Sequence, residues 1–261
     1  MTWFEALILG LVQGLTEFLP VSSSGHLEIG KVLLNVEVKE SLTFTVLVHF
    51  ATVLSTITVF YRDIQKLAVG LLAFQWNEET KYVSKILMSM IPVLVIGVFF
   101  RENVESLFSG NLVLVGSALL VTAALLFSTQ LVKAGTKKIP FLDAFLMGIA
   151  QAIATIPGIS RSGATISAGL LMKNGRSEVA RFSFLMVLLP IIGAAFLDIL
   201  SLSSSPAGVE IPTVSLVIGF VAAFLSGYLA CTWMISLVKK GNLYWFAIYC
   251  AIVGIVSILF S

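Results

Sequence analysis

Apolar residues run in long stretches along this chain, and its charges fall between them. Four intervals contain no Asp, Glu, Lys or Arg: Ser41 to Tyr61, Ser106 to Val132, Ile211 to Val238 and Gly241 to Ser261. Each is long enough to cross a hydrocarbon core about 30 Å thick, which takes roughly 20 helical residues. Two shorter intervals, Ile86 to Phe100 and Phe182 to Leu197, reach that length if Lys85, Arg101 and Arg181 snorkel or the helix tilts. The pattern predicts six transmembrane helices. Two further apolar stretches, Thr2 to Gly30 and Phe141 to Lys173, are interrupted in the middle by polar residues, Pro and Gly. They read as helix, break, short helix, and at that length they fit re-entrant hairpins better than full crossings. The fold class expected is an all-α polytopic membrane protein.

Between these elements lie a polar loop, Arg62 to Lys81, a basic linker, Lys133 to Pro140, and a small polar loop, Ser203 to Pro212. Asn174-Gly175 ends the second hairpin, and Ser177 with Glu178 reads as the capped, acidic start of the fourth span. Composition agrees: 58% of residues are hydrophobic and 11% charged, against about a quarter charged in soluble domains. Cys231 and Cys250 sit inside apolar spans without metal-ligand spacing. The N-terminus has no basic region or small-residue cleavage site, so a cleaved signal peptide is not expected.

The two interrupted stretches resemble each other. Moving the first by 138 positions pairs Ala6 with Ala144, Gly10 with Gly148, Gln13 with Gln151, Ser22 with Ser160, Ser24 with Ser162 and Gly25 with Gly163. Identities at small and polar positions point to a duplicated unit. We expect one membrane domain of two repeats, residues 1–135 and 136–261, each with a hairpin and three spans. Three is odd, so the second repeat enters upside down and the hairpins dip in from opposite faces. Twelve Lys and Arg fall on one side of this arrangement, among them Arg62, Lys81, Lys138, Arg181 and Lys240, against Lys31, Lys39 and Arg101 on the other. The first side is expected to be cytoplasmic, with both termini and the first hairpin's mouth facing outward.

Glu17 and Arg161 are the ionisable residues inside the hairpins' apolar runs, where an uncompensated charge costs at least about 2.5–3.5 kcal/mol. They read either as a structural bridge between repeats or as a functional pair. Around Arg161, Pro157 and Gly158 break one helix while Ser160 or Ser162 can cap the next. Free N–H groups, hydroxyls and a guanidinium at one spot suit phosphate. Gln13 and Glu17 share a helical face and offer oxygens to a hard divalent cation, Mg²⁺ or Ca²⁺. Ser23 is the candidate nucleophile and His26 or Glu17 its base, with water as an alternative attacker. Ser22 and Ser24 cap or hold substrate. Glu28 and Lys31 read as rim residues, Asp143 and Asp198 as helix-end charges, and His49 as a mid-span histidine without polar companions.

At these residues the sequence resembles the undecaprenyl-diphosphate phosphatase family, also called bacitracin-resistance proteins. Gln13 and Glu17 running into Ser22 to His26 match its first motif, and Pro157 to Thr165 its PGxSRSxxT motif. The resemblance covers the whole chain. It implies a metal-dependent hydrolase of a polyprenyl diphosphate in the bacterial inner membrane, opening to the outer side, with no nucleic-acid partner. Carried over by position, Glu17, Ser23, His26, Ser160, Arg161 and Thr165 are the implied functional residues, with Ser22 and Ser162 beside them on the substrate. Gln13 stands where a second carboxylate would otherwise add to a metal site. A lipid-phosphate transporter needs the same phosphate clamp on the same broken helices and is the main alternative. A protein that only sequesters the lipid is a third reading.

Overall fold

A computed structural model describes residues 1–34, 38–107, 110–133, 135–203 and 211–261, with the side chains of residues 38–42, 101, 105 and 194–203 outside the description. The described residues form twelve α-helices and no strand. In the first half these are α1 (Trp3–Phe18), α2 (Ser23–Leu34), α3 (Val38–Val59), α4 (Tyr61–Leu72), α5 (Glu78–Phe99), α6 (Arg101–Ser106) and α7 (Leu112–Ser128). The second half holds α8 (Phe141–Ile153), α9 (Arg161–Leu171), α10 (Arg176–Ser203), α11 (Thr213–Lys240) and α12 (Tyr244–Leu259).

Apolar length decides the class of protein. Helix α5 has a mean hydropathy of 2.0, yet only 17% of its most apolar window is buried. An apolar surface of that extent is stable only against lipid. Helix α7 with the 3₁₀ turn after it, and helix α11, are also long and apolar enough to cross a membrane, and α3 with α4 makes a fourth span if that bent pair is one. This is a multi-pass, all-helical membrane protein.

The helix–break–helix reading holds for both interrupted stretches. Thr2 caps α1 by accepting from the Glu5 N–H at 3.3 Å, and Glu5 returns a bond to the Thr2 N–H at 2.8 Å. Both ends of that capping box are therefore closed. Helix α1 stops before Pro20. Ser160 caps α9, accepting from the Gly163 N–H at 3.0 Å.

Elsewhere the structure corrects the sequence reading. Arg62 to Lys81 is not a polar loop, because Tyr61–Leu72 is helical and turns 76° away from α3. Ile64 and Leu67 stand at helical spacing and pack on the core, which is enough to fold an amphipathic helix. Helix α5 starts at Glu78, capped by Asn77, because a helix continues through charged turns that a search for uncharged runs leaves out. Ser177 lies inside the first turn of α10 and is not its cap. The basic linker is tied down through isolated bridges from Gly135 to Gly175 and from Lys137 to Asn174. Asp143 behaves as the helix-end charge expected of it, holding Lys137 and Asn174, each at 2.8 Å. Glu28, by contrast, is buried and pairs with Lys31 at 3.0 Å. The side chain of Asp198 lies outside the described residues.

The two halves pack in a crossed manner. Helix α1 lies on α11 and α8 lies on α5; α3 contacts α11 and α10 contacts α5. Glycine makes both of the first pair of contacts. A Cβ on Gly10 would strike the carbonyl oxygen of Gly219, and one on Gly148, 138 residues later, the carbonyl oxygen of Ser89. Close backbone approach of this kind is how helices associate where lipid supplies no hydrophobic force. A methyl at Gly97 meets no atom within 4 Å. We therefore expect Gly148→Ala to lower the melting temperature in detergent, corresponding to overpacking of about 1–3 kcal/mol, while Gly97→Ala leaves it unchanged or raises it.

Candidate active site

The two breaks, Leu19 to Ser22 and Ala154 to Ser160, meet. Ser22 takes a left-handed backbone, φ 70°, unusual for a residue with a side chain. Its hydroxyl accepts from the Gly158 N–H at 3.1 Å and the Gly25 N–H at 3.3 Å. Gly158 has φ 97° and lies so close to α7 that a Cβ would overlap the Ala118 methyl. Thr122 on α7 receives the Ser160 N–H and donates to the Gly158 carbonyl, both at 3.0 Å. These bonds satisfy the backbone of both breaks inside the protein, as an interrupted helix within a membrane requires.

Helices α2 and α9 therefore start side by side, at Ser23 and Arg161. Between them and Glu17 runs the central network. Arg161 Nη2 donates to Glu17 Oε1 at 3.1 Å. Ser23 donates to Glu17 Oε2 at 2.5 Å, and Gln13 Nε2 donates to the same oxygen at 2.9 Å. The Glu17 side chain is 5% exposed and that of Arg161 25%. The carboxylate is thus enclosed while the guanidinium reaches an opening.

That opening is a cleft of about 500 Å³. Its polar end carries Glu17, Ser22, Ser23, Ser24, Ser160, Arg161 and Ser162, and its apolar wall is Phe184, Val187, Leu188 and Ile191 of α10. Two helix N-termini, hydroxyls and one guanidinium face the same space, a combination that favours a phosphate anion.

Several expected residues sit elsewhere. His26 does not meet the Ser23 hydroxyl. Its Nδ1–H donates to the Ser22 carbonyl at 2.8 Å, leaving Nε2 to accept from the Tyr249 hydroxyl at 2.8 Å, and its ring stacks on Tyr249. Three residues along a helix from Ser23 brings it to the same side but turns the ring toward α12. Thr165 is buried one turn behind Arg161, where its hydroxyl bonds the Arg161 carbonyl at 2.8 Å and the Ser183 hydroxyl. It ties down the first turn of α9 and does not line the cleft. Gln13 lies fully buried beneath Glu17.

His49 reverses its reading. Its Nδ1–H donates to the Thr45 carbonyl at 2.8 Å, so its Nε2 faces Glu17 Oε2 at 4.0 Å. Thr52 and Thr56 of the same helix line the cleft. The signal was present in the sequence: 49, 52 and 56 are spaced three and four apart and share one helical face. Thr52 and Thr56 are cleft residues that the sequence reading does not include.

The residues fit a divalent cation in a limited way. Gln13 Oε1 is buried without a hydrogen-bond partner, and His49 Nε2 stands 4.0 Å from Glu17 Oε2, beyond hydrogen-bond reach. Among the described residues no group of three or more His, Cys, Asp or Glu forms a metal cage. Such a donor set suits an ion that keeps most of its waters and takes the rest of its ligands from substrate.

The fold is that of a multi-pass membrane protein, and its cleft gathers groups of the kind that suit a phosphate. Residues 6–256 match the family described as bacitracin resistance protein BacA, and the chain belongs to that family. It is 54% identical to an undecaprenyl-diphosphatase of Bacteroides fragilis, over 100% of this chain and 99% of the relative. A protein of the same name from Parabacteroides distasonis is 55% identical over 99% and 98% of the two chains, and one from Christiangramia forsetii 52% identical over 100% and 99%.

Removing one member of the Glu17–Arg161 pair leaves the other charge unpaired in a largely enclosed site. We expect Glu17→Gln and Arg161→Met each to lower the melting temperature, and the double variant to lose less than the sum. Thermal unfolding of all four proteins should show a coupling of at least about 1 kcal/mol.

Proposed function

We propose that this chain hydrolyses undecaprenyl diphosphate to undecaprenyl phosphate and inorganic phosphate, returning the cell-wall carrier lipid to use. The observation that carries the reading is the meeting of Glu17, Ser23 and Arg161 where two helices begin in one cleft. The names of the full-length relatives supply the substrate. They are names of enzymes, and none favours the transporter reading.

The mechanism follows from the positions of these groups. The isoprenoid lies along the apolar wall of α10 while the diphosphate enters the polar end of the cleft. Arg161 holds oxygens of the terminal phosphate through its planar fork, and the free N–H groups at the starts of α2 and α9 add positive potential. Ser23 Oγ attacks the terminal phosphorus as Glu17 Oε2 takes its proton. The bond from phosphorus to the bridging oxygen breaks, and undecaprenyl phosphate leaves with the electron pair. Water then cleaves the phosphoserine to give inorganic phosphate and restore the hydroxyl. His26 is too fully engaged with Tyr249 and Ser22 to be the base for Ser23, and its role is to fix the first turn of α2. A divalent cation held by Glu17 and Gln13 would supply positive charge to the diphosphate; phosphoryl transfer depends mainly on such positioning and electrostatics.

We further place the protein in the bacterial inner membrane as two inverted repeats, residues 1–135 and 136–261, with six spans and two re-entrant hairpins. The crossed packing of α1 on α11 and α8 on α5 supports this, as do the matched glycines Gly10 and Gly148. The excess of basic residues on one side supports a cleft that opens outward.

The test is phosphate release from a polyprenyl diphosphate by purified protein. We expect Glu17→Ala and Ser23→Ala to lose activity, and Arg161→Lys to fall by about 10²–10³, the usual loss when one preorganised charge-stabilising group is removed. Chelation of divalent cations should suppress the wild type. Full activity of Ser23→Ala would move the attack to water, and near-normal turnover of Arg161→Lys would refute the clamp.

A further inference from the structure

A second cleft, of about 700 Å³, lies where α4 meets the starts of α5 and α10. Tyr82 and Arg181 line it, and each turns a buried polar atom toward no partner: the Tyr82 hydroxyl and Arg181 Nε. The rest of Arg181 is fixed. Its Nη2 holds Asp63 at 2.7 Å, and its guanidinium lies over the Tyr82 ring at 5.0 Å. Buried donors normally have partners, so two unfilled ones in one cavity mark a place for a ligand's oxygens.

The charges narrow the ligand's class. Most are already neutralised: Lys66 pairs with Glu79 at 3.4 Å and Lys138 with Glu78 at 3.2 Å. Among the described residues no carboxylate lies within ion-pair reach of Lys85, which sits 5.4 Å over the Phe141 ring, and no cation within such reach of Glu178. One unpaired cation and one unpaired carboxylate thus remain beside the two unfilled donors. A simple anion would satisfy the donors and Lys85 but leave Glu178 facing like charge. A group carrying both a phosphate and an ammonium satisfies all four. Leu87 and Ile91, which follow Lys85 on α5, and Leu142, next to the Phe141 ring that Lys85 covers, are exposed and apolar, a surface that suits acyl chains.

We propose that this second cleft binds the headgroup of a zwitterionic phospholipid with a primary ammonium, of the phosphoethanolamine kind. Its phosphate lies on Tyr82, Arg181 Nε and Lys85, and its ammonium on Glu178. The site is separate from the hydrolytic cleft and does not depend on the substrate assigned to it.

Native mass spectrometry of the full chain in detergent tests this, with separate titrations of phosphatidylethanolamine, phosphatidylglycerol and inorganic phosphate. We expect one saturable phosphatidylethanolamine adduct. It should weaken about tenfold in Tyr82→Phe, in Lys85→Gln and in Glu178→Gln, as expected when one charge-assisted contact worth about 1.4 kcal/mol is removed. Because the Tyr82 hydroxyl has no partner within the protein, Tyr82→Phe should keep the wild-type melting temperature, which separates a ligand role from a structural one. Equal retention of phosphatidylglycerol, or displacement of the lipid by inorganic phosphate, would overturn the headgroup assignment. Equal adducts in wild type and all three variants, or no saturable adduct, would overturn the site.

Discussion

A carboxylate and a guanidinium that meet across two broken helices hold this molecule's centre together. Glu17 stands at the end of α1 and Arg161 at the start of α9, 144 residues apart in the chain and 3.1 Å apart in space. Neither charge is tolerable alone among apolar helices. Together they couple the two breaks, so that one cannot be placed without the other. The surrounding hydrogen bonds serve the same end: Ser22 to Gly158, Thr122 to Ser160 and Gly158, and Ser162 to the Leu19 carbonyl at 3.2 Å. Backbone that would otherwise need water is satisfied by serine and threonine from the opposite break or from α7.

This economy of polar groups also divides the labour of the cleft. Its reactive end is made almost wholly of short side chains and helix starts, which hold an anion without filling the space it needs. Its other wall is apolar and belongs to α10, so a long hydrocarbon tail stays in contact with surfaces like the bilayer it comes from. A soluble phosphatase must enclose its substrate; a membrane-embedded one needs only to admit the headgroup. The sparse carboxylate inventory suits the cation proposed above, since an ion that keeps its waters and takes oxygens from a diphosphate would not require a protein cage.

Small residues set the distances. Gly10 and Gly148 bring α1 and α8 against the backbones of α11 and α5, and Gly25 lies against Gly158 at the junction itself. Bulk at any of these positions would separate the two breaks, and the network between Glu17, Ser23 and Arg161 depends on their separation. Packing far from the cleft therefore bears directly on its chemistry.

The apolar architecture, the two interrupted stretches, and the pairing of Glu17 with Arg161 as the chemically informative charges are legible in the order of residues alone. These follow from local physics: long uncharged runs require lipid, Pro and Gly break helices, and an isolated charge in an apolar run needs a partner. Which groups touch depends on how distant helices pack. The orientation of His26 toward Tyr249, the retreat of Thr165 behind Arg161 and the arrival of His49 at Glu17 each depend on a helix distant in sequence. His49 has its polar companion, Glu17, on α1 and not on its own helix, although its alignment with Thr52 and Thr56 is legible in the sequence. The helix between Tyr61 and Leu72 escapes a reading by average polarity for a related reason: a short amphipathic segment next to a span is polar on average, and its apolar stripe gains meaning only from the core it covers.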